Sequence, residues 1–89
     1  MYRVHAVQRM VERGISEDDV QQVLAEGKDI ESYPDGYPYP SRLLLGWRGQ
    51  RPLHVVAAYN AADNETIVVT VYEPESDRWE PGFERRKAR

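Results

Sequence analysis

The chain has 89 residues, with 12 basic and 15 acidic side chains, two histidines, no cysteine and a formal net charge of −3. That length suits one small domain over residues 1–89, which buries only about two thirds of its unfolded surface, so function is expected on a surface or in a shallow groove. A disulfide framework and a thiolate zinc site are excluded, and two histidines cannot by themselves complete a tetrahedral metal site, so a reducing cytoplasm is the expected setting.

No apolar run approaches the ~20 residues that span a bilayer, and Met1 to Met10 has no apolar stretch of signal-peptide length, so no membrane partner is expected. Charge is uneven along the chain. Residues 1–41 carry 4 basic and 8 acidic side chains, whereas 42–89 carry 8 and 7. The late cations, Arg42, Arg48 and Arg51 and then Arg85, Arg86, Lys87 and Arg89, are candidates for phosphate contact or a solvated tail.

Val4, Val7 and Val11 fall on one face of a first helix with Met10 beside them, and Gly14 is placed to cap its end. His5, Arg9 and Arg13 form a ladder at i, i+4 and i+8, displaced from the valines. Ser16 opens a second helix. Asp19 three residues later approximates a capping box, and Glu17, Asp18 and Asp19 place negative charge at the positive end of the dipole. Ile15, Val20, Val23 and Leu24 form its apolar face and Gly27 ends it, giving two antiparallel helices with a tight connection.

From Asp29 the period changes to an edge strand containing Ile30 and Tyr33, followed by a loop of tyrosines and prolines from Pro34 to Pro40. Arg42 to Arg48, Pro52 to Tyr59 and Thr66 to Glu73 read as three antiparallel strands, joined by a two-residue Gly49-Gln50 turn and a longer polar loop. Setting His54 opposite Tyr72 puts Leu53, Val55, Ala57 and Tyr59 with Ile67, Val69 and Val71 on the face that packs against the helices. The other face then displays His54, Val56, Ala58, Val68, Thr70 and Tyr72, with Leu43, Leu45 and Trp47 on the neighbouring strand. Trp79 and Phe83 are expected to lie across an exposed apolar patch. The expected fold is α+β: two N-terminal helices on a mainly antiparallel sheet of about four strands.

The ordered pieces His5-Ala6, Arg9-Met10, Glu12-Arg13-Gly14-Ile15-Ser16, Asp19-Val20, Val23-Leu24, Gly27, Ile30-Glu31, Tyr33-Pro34, Pro40, Leu44-Leu45-Gly46, Arg51-Pro52-Leu53-His54-Val55-Val56, Thr70-Val71-Tyr72-Glu73-Pro74 and Trp79 resemble a small bacterial family, domain of unknown function 4258. The resemblance covers nearly the whole chain. Its helix-helix-sheet order is similar to RelE-like and BrnT-like toxins of toxin-antitoxin modules, and it implies a cognate antitoxin partner of the zinc-finger YgiT or MqsA type. The implied activity is RNA cleavage with no metal or other cofactor, on free or ribosome-bound messenger RNA.

Such cleavage requires activation of the ribose 2′-hydroxyl, protonation of the leaving oxygen and stabilisation of phosphate charge. His54 is the first candidate for acid-base work, because its pKa class lies near neutrality and it shares a face with Tyr72; His5 is its candidate partner. Each has a plainer alternative: a strand histidine in packing, a half-buried tyrosine, a histidine flanking its helix. Arg9, Arg13, Arg51 and Arg85 are the candidate phosphate or RNA contacts, since guanidinium binds phosphate oxygens in bidentate fashion. Tyr33, Tyr37 and Tyr39 can stack on unpaired bases but are better read as loop staples. The competing function is a non-catalytic protein-binding module whose sheet face, Trp47 and Trp79 engage a partner.

Overall fold

A computed structural model describes residues 1–88, and of the late cations Arg89 lies outside the described residues. Two helices, α1 (Val4–Arg13) and α2 (Glu17–Glu26), precede four strands, β1 (Lys28–Tyr33), β2 (Ser41–Arg48), β3 (Arg51–Asn60) and β4 (Glu65–Tyr72). The strands form one antiparallel sheet in the order β1-β2-β3-β4. The α+β class follows the sequence pattern, and in the structure α1 lies against β4 while α2 crosses β2 and β3.

Both caps form as the residues dictate. Gly14 takes the left-handed conformation at φ +62°, and its N–H meets the Met10 and Val11 carbonyls. Ser16 Oγ accepts from the Asp19 amide at 3.1 Å while Asp19 Oδ2 accepts from the Ser16 amide at 3.0 Å, a complete capping box. Asp19 is buried, and Arg48 Nε stands 2.9 Å from its Oδ1. The Ser16 amide is the main reason its carboxyl is held below the usual carboxylate range.

Two sequence expectations are corrected. The valine stripe of α1 does not face the core: Val4, Val7 and Val11 are 74%, 45% and 79% exposed. Ala6 and Met10 point at the sheet instead, with Ala6 fully buried. The reason lies upstream, where residues 1–3 run beside β4. The Arg3 amide donates to the Val68 carbonyl at 3.0 Å and the Val68 amide to the Met1 carbonyl at 2.8 Å, which fixes the rotation of α1. A small residue then permits close approach of helix to strand, and the larger valines face away.

The second correction concerns β4. His54 does pair with Tyr72, but a bulge follows: Val56 pairs with Thr70 and Ala57 with Val68, leaving Val69 as the extra residue. The alternation therefore flips, so Val68 joins the helix-side core and Ile67 pairs with Ala58 on the other face. The helix-side core is otherwise the one read from the pattern: Ile15, Val20, Val23, Leu44, Leu53, Val55, Ala57 and Val71. Gly46 is required there, because a Cβ would stand 2.5 Å from Val23 Cγ2. At the β2–β3 turn Gly49 supplies the positive φ, +61°, and Arg48 pairs with Arg51.

The opposite face is not open. Residues 75–88 cross it as a small hairpin closed by Glu80 N–H to Arg85 O at 2.8 Å and Lys87 N–H to Arg78 O at 2.9 Å. Trp79 is buried under this hairpin and Phe83 packs edge-on against Trp47 at 6.0 Å, as their position in the tail suggested. The sheet face offered in sequence as a protein-binding surface is thus occupied by the chain itself.

Candidate phosphate-binding cleft

His54 lies midway along β3 with no exposed surface. Its Nε2 is 2.9 Å from the Phe83 carbonyl oxygen and its Nδ1 is 3.2 Å from the Tyr72 hydroxyl. A carbonyl only accepts, so Nε2 carries the proton, Nδ1 presents its lone pair, and Tyr72 donates. The Trp79 ring closes the site edge-on at 4.4 Å. Burial, above all, pushes the His54 pKa down from 6.5, and burial likewise pushes that of Tyr72 up.

Tyr72 connects this buried pair to the outside. Its side chain lines a cleft of about 320 Å³ between α1, the end of β4 and the C-terminal hairpin. Arg9 and Arg13 enter from α1, one turn apart, and have no ion-pair partner among the described residues. Arg78 and Arg86 enter from the hairpin, with Trp79 between them as a wall. Glu73 and Glu75 also reach the rim, each already engaged: Glu73 with Arg51, and Glu75 with Arg78 at 3.6 Å. The cleft therefore has two uncommitted guanidinium groups beside a tyrosine hydroxyl, a donor set suited to a phosphate group.

Arg86 is held in place from two sides. Its guanidinium lies 4.7 Å over the Trp79 ring, and its Nε and Nη2 donate to the Glu31 carboxylate at 2.9 and 3.1 Å. Tyr33 donates to the same carboxylate. The Arg86 bond is the main reason the Glu31 pKa falls below its ordinary value, and the same bond raises that of Arg86.

In sequence comparison, residues 2–73 match the family described as Domain of unknown function (DUF4258). The chain belongs to the DUF4258 family. No curated protein and no solved structure matches it. The DUF4258 match contains Arg9, Arg13, Glu31, His54 and Tyr72 but ends before Trp79, so the hairpin that completes the cleft lies past the matched span.

Of the residues singled out in sequence, the structure brings Arg9, Arg13 and Tyr72 together, with His54 directly behind Tyr72. The others lie elsewhere. His5 is exposed on α1, one turn before Arg9, and does not line the cleft. Arg51 is taken up by the end of α1: its Nη1 donates to the Gly14 carbonyl at 3.2 Å, its Nη2 to the Arg13 carbonyl, and it pairs with Glu73. Arg85 is exposed on the far side of the hairpin, beside Glu80 and Glu84. In the aromatic loop, the Tyr39 hydroxyl accepts from Asn60 Nδ2 at 3.1 Å and Tyr33 bonds Glu31, whereas Tyr37 is free in solvent.

Sequence reasoning missed Arg78 and gave Glu31 no role, and it offered Arg86 for phosphate contact only as one of the late cations. Arg78 and Arg86 flank Trp79 and Phe83, and a buried indole followed by a cation was the available signal; nothing local marks Glu31, which depends on the fold of the tail. Among the described residues no three His, Asp or Glu side chains form a metal-holding group. No helix of the described residues is long and apolar enough to cross a membrane.

Proposed function

We propose that this DUF4258 protein is a toxin-like, metal-independent ribonuclease similar to the RelE and BrnT toxins, with the RNA phosphate held between Arg9, Arg13 and Tyr72. The observation that supports this reading is the cleft itself: two unpaired guanidinium groups next to a tyrosine hydroxyl whose proton points at the bare Nδ1 of a buried histidine. Arg9 and Arg13 neutralise the phosphate. The Tyr72 oxygen takes the ribose 2′-hydroxyl proton as its own proton passes to His54 Nδ1, leaving an imidazolium balanced by the bound phosphate. The 2′-oxygen to phosphorus bond forms, the phosphorus to 5′-oxygen bond breaks, the departing 5′-oxygen takes its proton from water, and the hydroxide left behind recovers a proton from the His54 imidazolium through Tyr72, restoring the site. A 2′,3′-cyclic phosphate and a 5′-hydroxyl end result. In this scheme His54 acts through Tyr72 and is a positioning residue. The substrate is free or ribosome-bound messenger RNA in the cytoplasm, and a cognate antitoxin, of the zinc-finger type, restrains the activity.

The test is cleavage of end-labelled RNA in chelator, as free RNA and on translating ribosomes. Tyr72→Phe should cut about 10²-fold or more slowly while still binding RNA, and the Arg9→Ala, Arg13→Ala double variant should bind more weakly with a shallower salt dependence. Absence of cleavage on both substrates, together with unchanged RNA binding by the double variant, overturns the reading. A second reading, a protein-binding module, draws on the exposed Val4, Val7 and Val11 stripe, an apolar face of a kind that monomers usually cover.

A further inference from the structure

The two walls of the arginine cleft belong to opposite faces of the sheet. α1, with Arg9 and Arg13, packs on the helix side against β4, and the hairpin of residues 75–88 lies on the tail side, so guanidinium groups reach the cleft from both sides of the β4 edge. The hairpin wall has a defined frame. Trp79 pairs with Arg86 across its two strands, the Lys87 amide donates to the Arg78 carbonyl at 2.9 Å, and the Trp79 side chain is buried. Arg86 is spent on Glu31, but Arg78 has no comparable partner. Its guanidinium makes no hydrogen bond among the described residues, and its carboxylate neighbour, Glu75, stands at 3.6 Å with both ends of the pair mostly in solvent. A pair of that kind contributes little and is readily exchanged for another anion.

Charge and size both leave room for a second group. Four arginines and two glutamates line the cleft. Glu31, on Arg86, and Arg51, on Glu73, cancel each other from outside, so two positive charges remain in surplus. One phosphodiester neutralises one of them. The cleft volume of about 320 Å³ is roughly ten times a water molecule's share of the liquid, well beyond what the five heavy atoms of one phosphate fill.

We infer that Arg78 is the contact for a second phosphate, so that the cleft holds two successive phosphates of one strand. The first lies at Arg9, Arg13 and Tyr72, and the second at Arg78, which leaves Glu75 to take it. As the path of a substrate RNA this rests on the ribonuclease reading, and it defines the bound segment as a nucleotide with a phosphate on each side. The binding itself does not depend on cleavage. Arg78 lies past the matched residues 2–73, so the second contact belongs to the tail and not to the matched domain.

Short thymidine oligomers separate binding from cleavage, because they lack the 2′-hydroxyl. Titration calorimetry with the dimer, trimer and tetramer, whose links supply one, two and three phosphates, should show affinity rising roughly tenfold from dimer to trimer. No comparable rise should follow from trimer to tetramer. Arg78→Ala changes a mostly exposed side chain; it should leave the circular dichroism spectrum unaltered and bind the dimer nearly as wild type does, while abolishing the rise. Glu75→Gln should keep or enlarge the rise, whereas an Arg78 that served only to fix Glu75 would make this variant lose it too. The second contact is overturned by a trimer that binds no tighter than the dimer or not at all at millimolar concentration, or by a tetramer that gains as much again. Thymidine 5′-monophosphate matching the trimer through its two charges, a rise that survives Arg78→Ala, or a rise lost in Glu75→Gln would overturn it equally. An Arg78-dependent rise without any RNA cleavage keeps the two-phosphate cleft and defeats the ribonuclease reading, and Tyr72-dependent cleavage without the rise does the reverse.

Discussion

The two faces of the sheet solve the same burial problem with different materials. On the helix side Leu44, Leu53, Val55 and Val71 meet Val20, Val23 and Ala6, an apolar contact with no polar side chain to satisfy. On the tail side the corresponding positions carry His54 and Tyr72, covered by Trp79 and Phe83, and every polar atom of the histidine ring has a partner. An apolar pair on that face would pack more simply, because a buried imidazole gains little from hydrogen bonds that water could also supply. What the polar version adds is direction: the Phe83 carbonyl fixes the tautomer, the tautomer orients the Tyr72 proton, and Tyr72 opens into the arginine cleft. Both faces therefore carry stability, and the tail side carries orientation besides.

The largest effects should come from emptying each face in turn. Leu53→Ala on the helix side should cost about 2–5 kcal/mol and Trp79→Ala on the tail side about 3–5 kcal/mol, measured by urea unfolding. The distinction lies in a second readout. Trp79→Ala also removes the surface on which Arg86 lies, so its phosphate or RNA affinity, measured under conditions where both variants are folded, should fall several-fold, whereas that of Leu53→Ala should match wild type. Equal affinities for the two variants would mean that the tail side merely covers the sheet.

A smaller effect should separate the faces by pH. Because burial lowers the His54 pKa below 6.5, the unfolded chain binds that proton more readily than the native one. Its contribution is complete above pH 6.5 and declines as pH falls from there toward the native value. Asp19 and Glu31, whose pKa values are lowered, release their contribution only at more acid pH, below the ordinary carboxylate range. Urea midpoints should thus drop between pH 7.5 and 5.5 in the wild type and drop less in His54→Gln, whatever that variant's absolute stability. An identical slope in both would remove His54 as the source.

How much of this was legible in the sequence depended on whether neighbours along the chain determined it. The capping box at Ser16, the Gly14 cap, the Gly49 turn and the His54–Tyr72 pairing are set by residues at most a hairpin apart, and each was read correctly. The Val69 bulge was hidden, because Ile67, Val68 and Val69 are three apolar residues in succession that suit either face, and only the pairing of Ala57 with Val68 chooses. Within the cleft, Arg9, Arg13 and Tyr72 were visible as residue types able to do chemistry. The pairing of Arg86 with Glu31 was not, since 55 residues separate them and their bond exists only once the hairpin folds back over β3.

The smallest expected effect bears on the face that the sequence misread. A helix whose valines faced the core would lose about 1 kcal/mol or more for each valine made polar, through lost burial alone. In the observed rotation Val4 and Val11 are mostly in solvent, so Val4→Ser and Val11→Ser should each change stability by no more than about 0.5 kcal/mol. Ala6 is the sharper control: it has no exposed surface, and Ala6→Leu should cost about 1–3 kcal/mol by overpacking against β4. If instead the serines destabilise and the leucine does not, α1 is turned the other way about its axis. Arg9 and Arg13 would then leave the cleft with it, because they lie on the same helix and a rotation that buries the valines carries both arginines away from Tyr72.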